Sequence, residues 1–139
     1  KREAIYTLVK KLKDKGLIHG IGLQQHVKLT TPTTALLDTA ISRYAELGLE
    51  IHVTELDVEI NPDGAYTELT PELSLALANR YKELFAVYAK HAGSITAVMN
   101  WNVTDSTSWL LSFPTAHTTW PLLFDADGKP KLAFWSLVN

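Results

Sequence analysis

Ile51–His52–Val53–Thr54–Glu55–Leu56–Asp57 is the stretch on which the reading of this chain turns. It is short, rich in β-branched residues, and ends on two carboxylates. Residues two apart on a strand point to the same face, so Ile51, Val53, Glu55 and Asp57 are expected in one row, apolar first and acidic at the C-terminal tip. That is the pattern of a buried parallel strand whose end carries chemistry, as strand-end acids in α/β folds do. The same two acids would also suit a strand end that merely needs solvation, and the local sequence leaves both readings open.

Helical patterns flank this strand on both sides. Before it, Leu37, Ala40, Ile41 and Tyr44 form an apolar stripe ending at Gly48, with Thr31 as the expected N-cap and Pro32 at the first helical position. After it, Asn61–Pro62–Asp63–Gly64 makes a turn cluster. Thr70 and Pro71 then open a helix whose stripe, Leu73, Leu77, Tyr81, Leu84, Phe85 and Tyr88, runs to Gly93.

Further out, the chain begins at Lys1 within a helical pattern whose stripe is Ile5, Leu8, Val9 and Leu12, with Gly16 as a C-cap. Gly20 to His26 reads as one strand with Gly20, Gly22, Gln24 and His26 on one face, the glycines leaving room inside a crowded barrel. A third strand, Ile95 to Trp101, opens into a polar loop that reaches Trp109. Pro121 to Asp125 leads to an Asp127–Gly128 turn, and Leu132 to Val138 closes the chain as a short helix.

The order is therefore one helix followed by three strand–helix units. Such alternation implies an α/β fold with parallel pairing and right-handed crossovers. Gln24 and His26, Glu55 and Asp57, and Asn100 and Trp101 all fall at C-terminal strand ends, the active face of a (β/α) barrel. At 139 residues the chain can bury a core, but a complete eightfold barrel needs roughly 250.

Composition narrows the partners. With 46% hydrophobic and 20% charged residues the chain is an ordinary globular sequence. Thirteen Lys plus Arg against 15 Asp plus Glu give a net charge of −2, without the basic footprint that nucleic acid requires. No apolar run approaches the ~20 residues of a membrane-spanning helix. The absence of cysteine excludes disulfides and thiolate chemistry. His19 and His117 fit no ligand spacing, His91 closes a helix, and His52 is expected to point away from the Glu55 row, so no metal is expected. Taken alone, His26 could be a satisfied core histidine, and Trp101 and Trp109 could be core packing.

Three strings change that weighting. GIGLQQH (20–26), VTELDV (53–58) and WNVTDSTSW (101–109), followed by PLLFD (121–125), resemble the C-terminal part of glycoside hydrolase family 10, the endo-β-1,4-xylanases. The resemblance covers essentially the whole chain and implies the last three βα units of a (β/α)8 TIM barrel, preceded by one helix. It implies that Glu55 is the nucleophile of a retaining, double-displacement mechanism on β-1,4-xylosidic bonds. His26 would then donate to Glu55 while Asp57 orients the imidazole. By the same resemblance Gln24 contacts sugar hydroxyls, and Trp101 and Trp109 wall the sugar site. The implied partner is xylan or a xylo-oligosaccharide, with no cofactor needed, and a polymeric substrate implies a secreted, periplasmic or cell-surface protein. Asp105 and Ser106 are expected to hold their loop in shape, and the Asn102–Val103–Thr104 sequon to be incidental.

Two departures from the family pattern matter. Asn102 stands where the family most often has glycine. The acid/base glutamate of the family's WDVVNE-like motif has no counterpart here, although retaining hydrolysis needs two carboxyl groups about 5–5.5 Å apart. The expectation is that residues 1–139 form the C-terminal portion of a barrel, incomplete and inactive alone. The first five strands would come from the same gene product or a second chain. Two other readings stay open: a non-catalytic xylan-binding remnant, and a related β-1,4-glucanase.

Overall fold

In a computed structural model of the chain, residues 2–113 and 117–138 are described; Lys1 lies outside them. Helix α1 (Arg2–Asp14) is followed by strands β1 (Gly20–Leu23) and β2 (His26–Lys28), helix α2 (Thr34–Ala45), strand β3 (Glu50–Glu59), helix α3 (Pro71–Lys90), strand β4 (Ile95–Asn100) and helix α4 (Leu132–Val138). The pairings among β1 to β4 are parallel, and β3 is central, with β1 and β2 along one edge and β4 along the other. This is one helix and three strand–helix units of a (β/α) barrel.

The predicted strand from Gly20 to His26 is in fact two. Gln25 breaks it with φ of 66°, a left-handed conformation uncommon for a residue with a side chain. The break matches a bulge on β3. Three steps from Leu23 to His26 on the edge face four steps from Val53 to Asp57 on β3, and β4 shows the same extra β3 residue between Val53 and Leu56.

That bulge corrects the expected side-chain row. Ile51 and Val53 are fully buried against the helices, and so are Leu56 and Val58. The alternation therefore changes phase between Val53 and Leu56, and Ile51 and Val53 do not share a face with Glu55 and Asp57. Before the bulge the opposite face carries Glu50, His52 and Thr54 beside Gly20 and Gly22; beyond it this face passes to Asp57. His52 thus lies on the same inner face rather than turned away, next to Glu50 at 3.4 Å. Gly20 and Gly22 are needed there, because a Cβ would stand 2.9 Å from the Glu50 carbonyl oxygen and 3.0 Å from Thr54 Cγ2.

Helix α3 supplies more of the core than any other single element. Leu77, Tyr81 and Leu84 are buried among Ile41, Ile51, Val53 and Val58, each such side chain contributing about 1.5–3 kcal/mol. The Tyr81 hydroxyl donates to the Pro121 carbonyl at 2.8 Å. Thr70 caps α3 through the Leu73 amide, with Pro71 at its first turn, as the sequence predicts. Helix α2 starts later than expected. Its N-cap is Thr33, not Thr31. The Pro32 carbonyl instead accepts from buried Arg80, which also donates to the Lys28 carbonyl at 3.0 Å. Arg80 so ties the end of β2 to α3.

Helix α1 is only partly committed. Gly16 (φ 67°) ends it, as expected, but of the predicted stripe only Val9 is buried, beside Leu47 and Leu49. Ile5 and Leu8 remain exposed.

Candidate active site

The start of β2, the second half of β3 and the residue just past β4 converge on one cluster, and β3 runs on to Glu59, so Glu55 and Asp57 lie within the strand and not at the tip the sequence suggested. His26 sits at the start of β2, just past the Gln25 break. Its Nε2 is 3.1 Å from Glu55 Oε2, and its Nδ1 is 3.0 Å from Asp57 Oδ2. The bulge makes this possible by placing Glu55 and Asp57 where one imidazole spans both. The Glu55 amide donates to the Gln24 carbonyl at 2.9 Å, pinning the two strand ends together.

Exposure divides these three residues by what they can do. The Glu55 and His26 side chains are about one quarter exposed, at 23% and 25%, whereas Asp57 is 1% exposed. Glu55 is thus within reach of a bound molecule and Asp57 is not. Burial pushes the Asp57 carboxyl above its ordinary range, opposed by hydrogen bonds from Trp109 and His26.

Aromatic side chains enclose the cluster. The Trp109 indole Nε1 donates to Asp57 Oδ2 at 2.8 Å, and its ring lies 4.9 Å from the imidazole. Trp101 stands edge-on to His26 at 6.3 Å and is 42% exposed, so a flat apolar surface faces solvent beside the imidazole. Phe113 stacks on Trp109 at 5.6 Å, an aromatic neighbour the sequence reading did not pick out. The Gln24 side chain is exposed at the break between β1 and β2. A cleft of about 220 Å³ is lined by His26, Lys28, Asp57, Glu59, Pro62 and Trp109. A larger groove of about 410 Å³ between α2 and α3 contains none of these residues.

The loop carrying Trp109 is held by a pair that sequence reasoning half missed. Lys131 Nζ donates to Asp105 Oδ2 at 2.7 Å and to the Trp120 carbonyl at 2.9 Å, while Asp105 Oδ1 accepts from the Leu122 amide. Burial raises the Asp105 carboxyl and lowers the Lys131 ammonium, and each partner's charge offsets part of that. Asp105 is a structural anchor, paired with Lys131 on the approach to α4. Lys131 carried one signal in the sequence: of the two lysines at 129 and 131, it is the one directly before the apolar run of α4. Asn102, at the predicted glycine position, adopts φ of 91°. Among the described residues no group of three or more His, Cys, Asp or Glu side chains could hold a metal ion.

The family profile for Glycosyl hydrolase family 10 matches residues 1–139. An endo-1,4-beta-xylanase of Geobacillus stearothermophilus is 44% identical over all of this chain, which spans 44% of that protein. A beta-1,4-xylanase of Dictyoglomus thermophilum is 46% identical, again over the whole chain and 41% of its own length. Among solved structures, a Thermobacillus composti GH10 xylanase superposes with a TM-score of 0.92 at 43% identity, covering 99% of this chain and 47% of that one. A mutant structure in complex with xylotriose superposes with a TM-score of 0.90 at 36% identity, covering 99% of this chain and 44% of that one. The chain thus spans less than half the length of these relatives.

Proposed function

Because this chain belongs to glycosyl hydrolase family 10, we propose that it is the nucleophile-bearing, C-terminal part of a retaining endo-β-1,4-xylanase, with Glu55 as the nucleophile. The observation that carries this reading is the single imidazole bridging Glu55 and Asp57 at 3.1 and 3.0 Å. A hydrogen bond to an ionised carboxylate favours its charged form and fixes its orientation. Both are what an attacking carboxylate needs.

In the first step a Glu55 oxygen bonds to the anomeric carbon as the glycosidic C–O bond breaks. The leaving oxygen takes a proton from an acid that lies outside this chain. Water then attacks the glycosyl ester from the vacated face, returning its proton to that same group and freeing Glu55 with net retention. Trp101 offers its exposed ring to the apolar face of a xylose unit, Trp109 backs His26, and Gln24 reaches sugar hydroxyls. Exclusion of water by the two indoles strengthens the polar contacts beside them.

The remaining barrel strands are the proposed partner. Among the described residues β1 and β4 each pair only with β3, whereas parallel strands occur almost only in closed or covered sheets. Ile5, Leu8 and Met99 are exposed on the flanking elements, as surfaces awaiting further barrel segments would be. Since xylan is polymeric, the site of action is extracellular or at the cell surface. The test is reducing-sugar release from xylan by the chain alone and by the chain joined to the first five strands of a relative. The joined protein should cleave xylan and the chain alone should not; cleavage by the chain alone would place the acid within it.

A further inference from the structure

Asp57 Oδ2 receives two donors, from His26 Nδ1 at 3.0 Å and Trp109 Nε1 at 2.8 Å, while Oδ1 is buried and receives none from the described residues. His26 in turn has a carboxyl oxygen at each ring nitrogen. An ionised carboxylate only accepts, so the two hydrogen bonds along Glu55, His26 and Asp57 require two protons. Either both sit on His26, or one sits on His26 and the other on a carboxyl group. We infer that Trp109 is a positioning residue whose indole N–H, donated to Asp57 Oδ2, keeps Asp57 ionised and both ring protons on His26.

The chemistry of the donor supports this. An indole N–H can only donate, and a hydrogen bond to a charged acceptor is roughly twice as strong as one to a neutral group. The groups facing Asp57 are His26 on β2, Glu59 on β3, Trp109, and the buried Tyr81 of α3, with Glu55 on the far side of the imidazole. Burial and the nearby Glu59 oppose ionisation of Asp57, and only His26 and Trp109 favour it. Without Trp109 the second proton passes from His26 Nδ1 to Asp57, and the imidazole becomes neutral. The catalytic consequence rests on the reading of Glu55 as nucleophile: a cationic His26 keeps Glu55 charged. Trp101, whose exposed ring borders the same cluster, makes no hydrogen bond to Asp57 and serves as the aromatic control.

The test is 15N NMR of the His26 ring near neutral pH in the full chain, comparing wild type, Trp109→Phe and Trp101→Phe. Wild type and Trp101→Phe should show both ring nitrogens protonated. In Trp109→Phe, which keeps an aromatic wall but has no N–H, Nδ1 should lose its proton and the Asp57 midpoint should rise by about one to two pH units. A folded Trp109→Phe chain with unchanged ring protonation overturns the proposal. If that variant does not fold, the wild type decides: the Trp109 indole resonance should follow the ionisation of Asp57, and one that ignores it overturns the proposal. Neither readout involves hydrolysis, so the proton assignment and the role of Glu55 stand or fall separately.

Discussion

Lys131 and Asp105 form an ion pair of 2.7 Å in which both side chains are at least nine-tenths buried, at 6% and 4% exposure. It joins the entry to α4 with the loop that ends in Trp109, so the wall of the proposed sugar site depends on a contact made outside it. Removing one partner strands a buried charge, which typically costs about 3–5 kcal/mol. Lys131→Met should therefore lower the urea midpoint sharply. Adding Asp105→Asn, which keeps an acceptor for the Leu122 amide, should recover part of the loss. A loss in the double variant equal to the sum of the losses in Lys131→Met and Asp105→Asn would show that the charges do not interact.

The pH dependence of stability should carry two opposite contributions. Asp57 has its carboxyl raised by burial, so its contribution is fully present below its unfolded value and is lost as pH rises through the folded one. Asp38 is lowered by hydrogen bonds from Lys90 and His91, so its contribution is present above the unfolded value and lost as pH falls through the folded one. Relative to wild type, Asp57→Asn should gain stability as pH rises across the carboxylate range, and Asp38→Asn should lose it. Urea unfolding at a series of pH values checks both slopes, and slopes of the same sign would contradict the assignment.

Glycine substitutions on β1 should differ by what they strike. A Cβ at position 20 meets the Glu50 backbone carbonyl, which cannot yield, whereas one at position 22 meets the Thr54 methyl. Thermal denaturation should show Gly20→Ala as the more damaging change. Gly22→Ala should be partly rescued by Thr54→Ser, which removes that methyl.

Asn102 occupies a left-handed backbone conformation that glycine adopts at no steric cost. Asn102→Gly should be close to neutral in stability, and the β-branched Asn102→Val should destabilise by about 1–2 kcal/mol, measured by chemical unfolding. Indistinguishable variants would mean that the turn rearranges.

Much of this was legible in the chain itself. Periodicity located α1, α3, α4 and the three strand–helix units, and the capping of α3 by Thr70 follows from side-chain chemistry that acts within four residues. The proximity of His26 to Glu55 and Asp57 came from family resemblance, because no local rule joins residues 29 and 31 positions apart. The β3 bulge was hidden, since strict alternation over Ile51, Val53, Glu55 and Asp57 is also what an unbulged strand would show. The later start of α2 was hidden too, because Thr33 and Thr31 are equally good caps until Arg80 takes the Pro32 carbonyl. Two long-range partnerships, Lys131 with Asp105 and Trp109 with Asp57, depend on how the closing loops fold back over the strand ends.

The central claim is that Glu55 forms the glycosyl bond, and the most direct measurement is covalent trapping. A 2-fluoro xylobioside with an activated leaving group departs without acid assistance, so the ester it leaves behind can be located by peptide mass mapping. In the chain completed with the first five barrel strands, the account predicts the added sugar on Glu55 and no adduct in Glu55→Gln, whose xylan cleavage should also fall by about three or more orders of magnitude. An adduct on another carboxylate, or near-normal turnover in Glu55→Gln, would contradict it.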